Sequence, residues 1–169
     1  MRFLASIALV LLLAVGASAE SMEFPGFRLD SPVPFGAVQD FGGDVYFAVF
    51  PDTNDTNKVT LELIVIHTSH DSVAAIQDSG ASARQVAVST FMGKDEKPEQ
   101  INKALFMGST EAHLVYTSYT PRPNKTHVFQ HLLDNGGLVT VALRDYGGNE
   151  PKVVGEVLRA ISNTFVALF

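Results

Sequence analysis

The dipeptide Asn135-Gly136, set between two apolar runs, constrains this chain more than any other feature. His127 to Leu133 and Leu138 to Asp145 flank the turn sequence Asp134-Asn135-Gly136-Gly137. Asn and Gly tolerate the positive φ that a type I′ turn demands, so the two runs are predicted to fold back on each other as a β-hairpin.

Other segments supply partners for that hairpin. Val59 to His67 is the strongest further strand, with Val59, Leu61, Leu63 and Val65 on one face. Its other face carries Thr60 and Glu62, then Ile64 and Ile66, so its later half reads as buried on both sides. Val45 to Phe50 is a short aromatic strand after a Gly42-Gly43 turn, and Asp52 to Lys58 is a polar loop. Phe24 to Pro34 reads as an extended lead-in, with Phe27 and Leu29 alternating with Arg28 and Asp30. Ala104 to Met107, His113 to Tyr119 and a terminal Thr164 to Phe169 add shorter strands, with Pro121-Arg122-Pro123-Asn124 as a loop.

Helical spacing appears in three places. Asp71 or Ser72 caps a short turn through Ile76. Ala81 to Phe91 places Ala83, Val86, Ala87 and Thr90 on one face and stops at Gly93, before a charged segment over Lys94 to Lys103. The closing helix is predicted with Asn149 as its cap, Pro151 in its first turn and an apolar stripe of Val153, Val154, Val157, Leu158 and Ile161. Strands, helix, antiparallel strands and helix in that order define an α+β fold, a twisted antiparallel sheet covered by helices.

The first nineteen residues read differently. Arg2 gives a positive start, Phe3 to Val15 is apolar except for Ser6, and Ala17-Ser18-Ala19 offers the small side chains that signal peptidase accepts. Cleavage is predicted before Glu20, leaving residues 20–169 as a single α+β domain. The apolar run falls short of the roughly 20 residues that span a bilayer. The expected location is therefore extracellular, or periplasmic in a bacterium. With Arg2 removed, the 12 basic residues fall to 11 against 18 acidic ones. That charge argues against nucleic acid and anionic membrane as partners and favours a monomer. The chain has no cysteine, which removes thiol catalysis, thiolate metal sites and disulfides. Asn54-Asp55-Thr56 and Asn124-Lys125-Thr126 are N-glycosylation sequons, making Asn54 and Asn124 the candidate modified residues.

The opening Gly26-Phe27-Arg28-Leu29-Asp30-Ser31-Pro32 and the closing Ser162-Asn163-Thr164-Phe165 resemble the terminal motifs of the PsbP and Mog1-like fold family. That family includes photosystem II lumen proteins and a Ran-binding nuclear protein. The resemblance implies an α/β sandwich over the whole mature chain and a docking or accessory role. It implies no catalytic residue.

No catalytic, cofactor or metal set is assigned. His127 and His131 share a strand face, but their Cα atoms would lie about 13 Å apart, too far for one zinc ion. His67 and His70 point to opposite faces of a strand. Asp52, Asn54 and Asp55 lack the glycine and terminal glutamate of an EF-hand loop. A Gly-x-Ser-x-Gly elbow is missing, which leaves a hydrolase with a dispersed triad as the least favoured reading. The aromatic crowd of Phe24, Phe27, Phe35, Phe41, Tyr46, Phe47 and Phe50 reads as core, or as an exposed patch that receives a ligand. Two functions are expected from this: a non-enzymatic binding protein that docks a protein partner through its sheet face or edge, or a carrier with an apolar pocket between sheet and helix for a small apolar ligand.

Overall fold

A computed structural model describes residues 20–24, 27–82, 85–86, 89–91, 99–100, 113–119 and 121–167. It is a mixed α+β structure. Two antiparallel strands, β1 (Glu20–Phe24) and β2 (Phe27–Ser31), form a separate hairpin. Seven more form one antiparallel sheet: β3 (Gln39–Gly42), β4 (Val45–Phe50), β5 (Leu61–Thr68), β6 (Glu99–Gln100), β7 (His113–Ser118), β8 (Asn124–Leu132) and β9 (Leu138–Asp145). Their spatial order is β3-β4-β5-β9-β8-β7-β6. Helix α1 (His70–Asp78) follows β5, and α2 (Pro151–Ala167) closes the described chain.

The predicted hairpin is present as β8 and β9, with Leu132 opposite Leu138 and His127 opposite Leu143. Its turn differs from the type I′ expectation. Gly136 N–H donates to the Leu133 carbonyl, and Leu133 N–H to that of Gly137, both at 2.8 Å. Gly136 has φ +82°, while Asn135 keeps a negative φ. This is the pattern of a turn through Asp134-Asn135 closed by a left-handed glycine, the three-residue relative of the two-residue loop. The Asn135 side chain is instead used as an acceptor for Gly137 N–H at 2.9 Å.

Alternation sorts the large sheet into two faces. On one, Leu61, Leu63 and Val65 of β5, Phe129 of β8 and Val139, Val141 and Leu143 of β9 form the main core. Val157 and Ile161 of α2 pack there, as do Met22, Phe24 and Leu29 of the β1–β2 hairpin. The predicted α2 stripe is therefore the buried one: Val157 and Ile161 are fully enclosed, and Val153, Val154 and Leu158 pack beside them. On the other face lie Ile64, Tyr116, Val128 and Ala142, with Phe91, Val45, Phe47 and Ile66.

Three boundaries are corrected. Ser69, a few residues earlier than Asp71 or Ser72, caps α1, its Oγ accepting Ser72 N–H at 3.3 Å. Asn149 does not cap α2. Its Oδ1 accepts the Thr60 hydroxyl at 3.0 Å, while Glu150 supplies the carbonyl for Val153 N–H at 2.9 Å. The terminal Thr164 to Phe169 strand is replaced by helix as far as Ala167. Within that helix the Thr164 hydroxyl donates to the Ala160 carbonyl one turn back, at 2.9 Å, which satisfies its polar group locally. The predicted strand Ala104 to Met107, most of the charged segment Lys94 to Lys103 and part of the Ala81 to Phe91 helix fall outside the described residues. Among the described residues, no helix is long and apolar enough to cross a membrane.

Candidate functional site

The aromatic crowd of the first third divides between the two faces. Phe24 and Phe35 are buried in the main core, and Tyr46 and Phe50 pack against it. Phe41 and Phe47 go elsewhere. Odd-numbered positions of β4 face away from α2, so Phe47 and Val49 point to the opposite face of the sheet. Phe41, on edge strand β3, stacks on Phe47 with ring centroids 4.4 Å apart and keeps 71% of its surface exposed. The β3–β4 turn makes this approach feasible. Gly42, Gly43 and Asp44 all take positive φ, at 80°, 64° and 61°.

Phe41, Phe47 and Val49 line a half-open cleft of about 440 Å³. Val59, Thr56 and Asn57 from the β4–β5 loop and Pro121 from the β7–β8 loop also line it. Glu62, Arg122 and Tyr146 supply its polar lining. The apolar pocket expected between sheet and helix is not where this cleft lies. The helix-covered side is occupied by Leu61, Leu63, Val65, Val141, Val157 and Ile161, each 0% exposed.

The polar lining is a connected set. Glu62 of β5 sits opposite Arg144 of β9 in register, and their side chains pair at 3.1 Å. Tyr146 lies just past β9, and its hydroxyl donates to the same Glu62 oxygen at 2.6 Å. Burial pushes the Tyr146 hydroxyl far above its ordinary pKa; the hydrogen bond to Glu62 and its charge add to this, while Arg144 acts in the opposite direction. The phenol therefore stays protonated and keeps donating. Arg122 lies over the Tyr146 ring, its guanidinium carbon 4.1 Å from the centroid. Its two terminal nitrogens donate to the carbonyls of Asn57, at 3.2 Å, and of Val59. These bonds tie the β7–β8 loop to the β4–β5 loop.

His67, His70, His127 and His131 do not line this cleft. His127 and His131 are buried on β8, on the face that holds Phe129. His67 is in the same row as His131, with Val139 between them, two strand spacings or about 10 Å away. His70 starts α1, its ring against Gly136 of the hairpin turn. Among the described residues, no group of three or more His, Asp or Glu side chains is arranged to hold a metal ion.

The two sequons differ in environment. Asn54 is exposed in the β4–β5 loop. Asn124 opens β8 and is 5% exposed, its amide donating to the Arg122 carbonyl at 2.8 Å and its oxygen accepting the Thr126 hydroxyl at 2.6 Å. A glycan would replace one of the two hydrogens on that nitrogen, and at 5% exposure there is no space beside it for a sugar unless the start of β8 moves. Produced through a eukaryotic secretory route, the folded protein is expected to carry glycan on Asn54 and none on Asn124. Intact-mass analysis reads this directly: Asn54→Gln removes the whole glycan increment, and recovery of a glycan at Asn124 in folded protein would contradict the prediction.

No protein-family model matches the chain, and no curated protein matches it in sequence.

Proposed function

We propose that this is an exported, non-enzymatic binding protein whose recognition site is the aromatic cleft on the sheet face opposite α2, and that it holds a small apolar ligand there. One observation carries the reading. A cleft of about 440 Å³ falls within the range of roughly 300–1,000 Å³ that small-molecule sites occupy. Its walls combine apolar side chains with a few fixed polar groups, the usual composition of such sites. Glu62 accepts from both Arg144 and Tyr146, so part of the polar lining is fixed. Export is supported by the N-terminal apolar run and the Ala17-Ser18-Ala19 pattern. The finer assignment to a PsbP and Mog1-like sandwich belongs to the same proposal, supported by the terminal motifs and by the closing helix packed on the antiparallel sheet.

Phe41 provides the test. Its ring contributes wall area to the cleft and little to the core, so Phe41→Ala is expected to change stability by less than about 0.5 kcal/mol. Binding of a neutral fluorescent dye, N-phenyl-1-naphthylamine, is expected to weaken about tenfold in the same variant. Dye affinity left unchanged by Phe41→Ala would remove the cleft from consideration.

A second reading, docking of a partner chain at the sheet edge, rests on a separate observation. All four residues of β3 are exposed, and β3 is an edge of the seven-stranded sheet. A partner strand added there would protect β3 amides from hydrogen exchange, which a ligand confined to the cleft would not.

A further inference from the structure

We infer that the ligand of this cleft is an amphipathic anion, a small carboxylate with an apolar body, held by its head group on Arg122. This rests on the cleft being the binding site and adds the charge of what it takes. The inference follows from the balance of charge around the cleft. Glu62 is matched by Arg144 at 3.1 Å and receives the Tyr146 hydroxyl at 2.6 Å, so its negative charge is already compensated. Arg122 has no such match. Among the described residues its acceptors are two backbone carbonyls and the face of Tyr146, and no carboxylate lies within ion-pair distance. One guanidinium charge is left over, in a chain whose net charge is −6.

The placement of that charge suits a ligand head group. The carbonyls of Asn57 and Val59 and the Tyr146 ring fix the guanidinium plane before any ligand arrives. Two carbonyls leave several of the five guanidinium N–H groups for another acceptor, and a planar fork of donors fits a carboxylate. Phe41, Phe47 and Val49 line the same cleft as Arg122 and supply apolar surface for an alkyl or aromatic body. A neutral head group would leave the leftover charge unanswered, and a cationic one would meet it directly.

Decanoate, decanol and decyltrimethylammonium share one alkyl chain and differ in head group, so titrating each into the whole mature protein by calorimetry separates body from charge. Decanoate is expected to bind about tenfold or more tightly than decanol, as for a charge-assisted hydrogen bond replaced by a neutral one. Decyltrimethylammonium is expected to bind more weakly than either. Arg122→Gln is expected to bring decanoate and decanol to similar affinity. Because Arg122 also pins two loops, the head-group series on the unaltered protein decides the matter by itself. Equal affinity for decanoate and decanol there overturns the anion assignment while leaving the cleft as a binding site. Loss of both ligands, together with dye binding that ignores Phe41→Ala, overturns the cleft as well.

Discussion

Phe129→Ala is expected to lower the unfolding free energy by about 3–5 kcal/mol, the range for deleting a buried aromatic ring. Phe129 is 1% exposed at the middle of β8, paired with Val141 of β9 on one side and His113 of β7 on the other. Its ring belongs to the cluster that also contains Val65, Val141, Val157 and Ile161, so its removal opens a void between sheet and α2. Domains of this size are stable by only about 5–15 kcal/mol, which makes that loss a large fraction of the total. A urea titration measures it. A loss below about 1 kcal/mol would mean that the helix-covered face is not the core.

Glu62→Ala is expected to cost about 3 kcal/mol, because it strands Arg144 rather than because it removes an attraction. The Arg144 and Glu62 side chains are 15% and 20% exposed, so water screens the pair only in part. The Arg144 Nε is already buried without an acceptor, and losing Glu62 takes away the carboxylate that balances the rest of the guanidinium. Tyr146 loses its acceptor in the same step. Replacing both charges, Glu62→Met with Arg144→Met, is expected to recover much of the loss, since an apolar pair of similar volume leaves no charge unpaired. A double-mutant cycle in urea reads the coupling, and additive single effects would show that the pair is not coupled.

Much of the fold was legible because strand alternation and turn chemistry are local. The β8–β9 hairpin was marked by Asn135-Gly136, the β3–β4 turn by Gly42-Gly43, and α2 by a five-residue apolar stripe. The misses also have local causes. β8 begins at Asn124, three residues before its apolar run, because Asn124 and Thr126 are buried polar residues that bond to each other and so look like loop in the sequence. Thr164-Phe165-Val166 has the composition of a strand, yet it continues a helix whose Val157 and Ile161 are locked into the core, and tertiary packing overrides local propensity through Ala167. β1 was missed because only Met22 and Phe24 of its five residues are buried, too few to set a period.

The site was not legible, and the reason is topological. Phe41, Glu62, Arg122 and Tyr146 are separated by tens of residues and meet only because β5 pairs with both β4 and β9. Nothing local distinguishes Phe41 from Phe35, yet the first is 71% exposed and the second 4%. A weak signal did exist in the sequence. Seven aromatics in 27 positions exceed what one face of two short strands can bury, and the surplus had to go to the other face. Arg122 carried no signal, because a single arginine between two prolines in a loop predicts neither its carbonyl partners nor that, among the described residues, no carboxylate faces it.

The location of a bound ligand tests the account most directly. In a crystal structure or a set of intermolecular NOEs with decanoate, the alkyl chain is expected against Phe41 and Phe47 and the carboxylate against Arg122. A chain found instead between the sheet and α2, among Leu63, Val141 and Ile161, would contradict it.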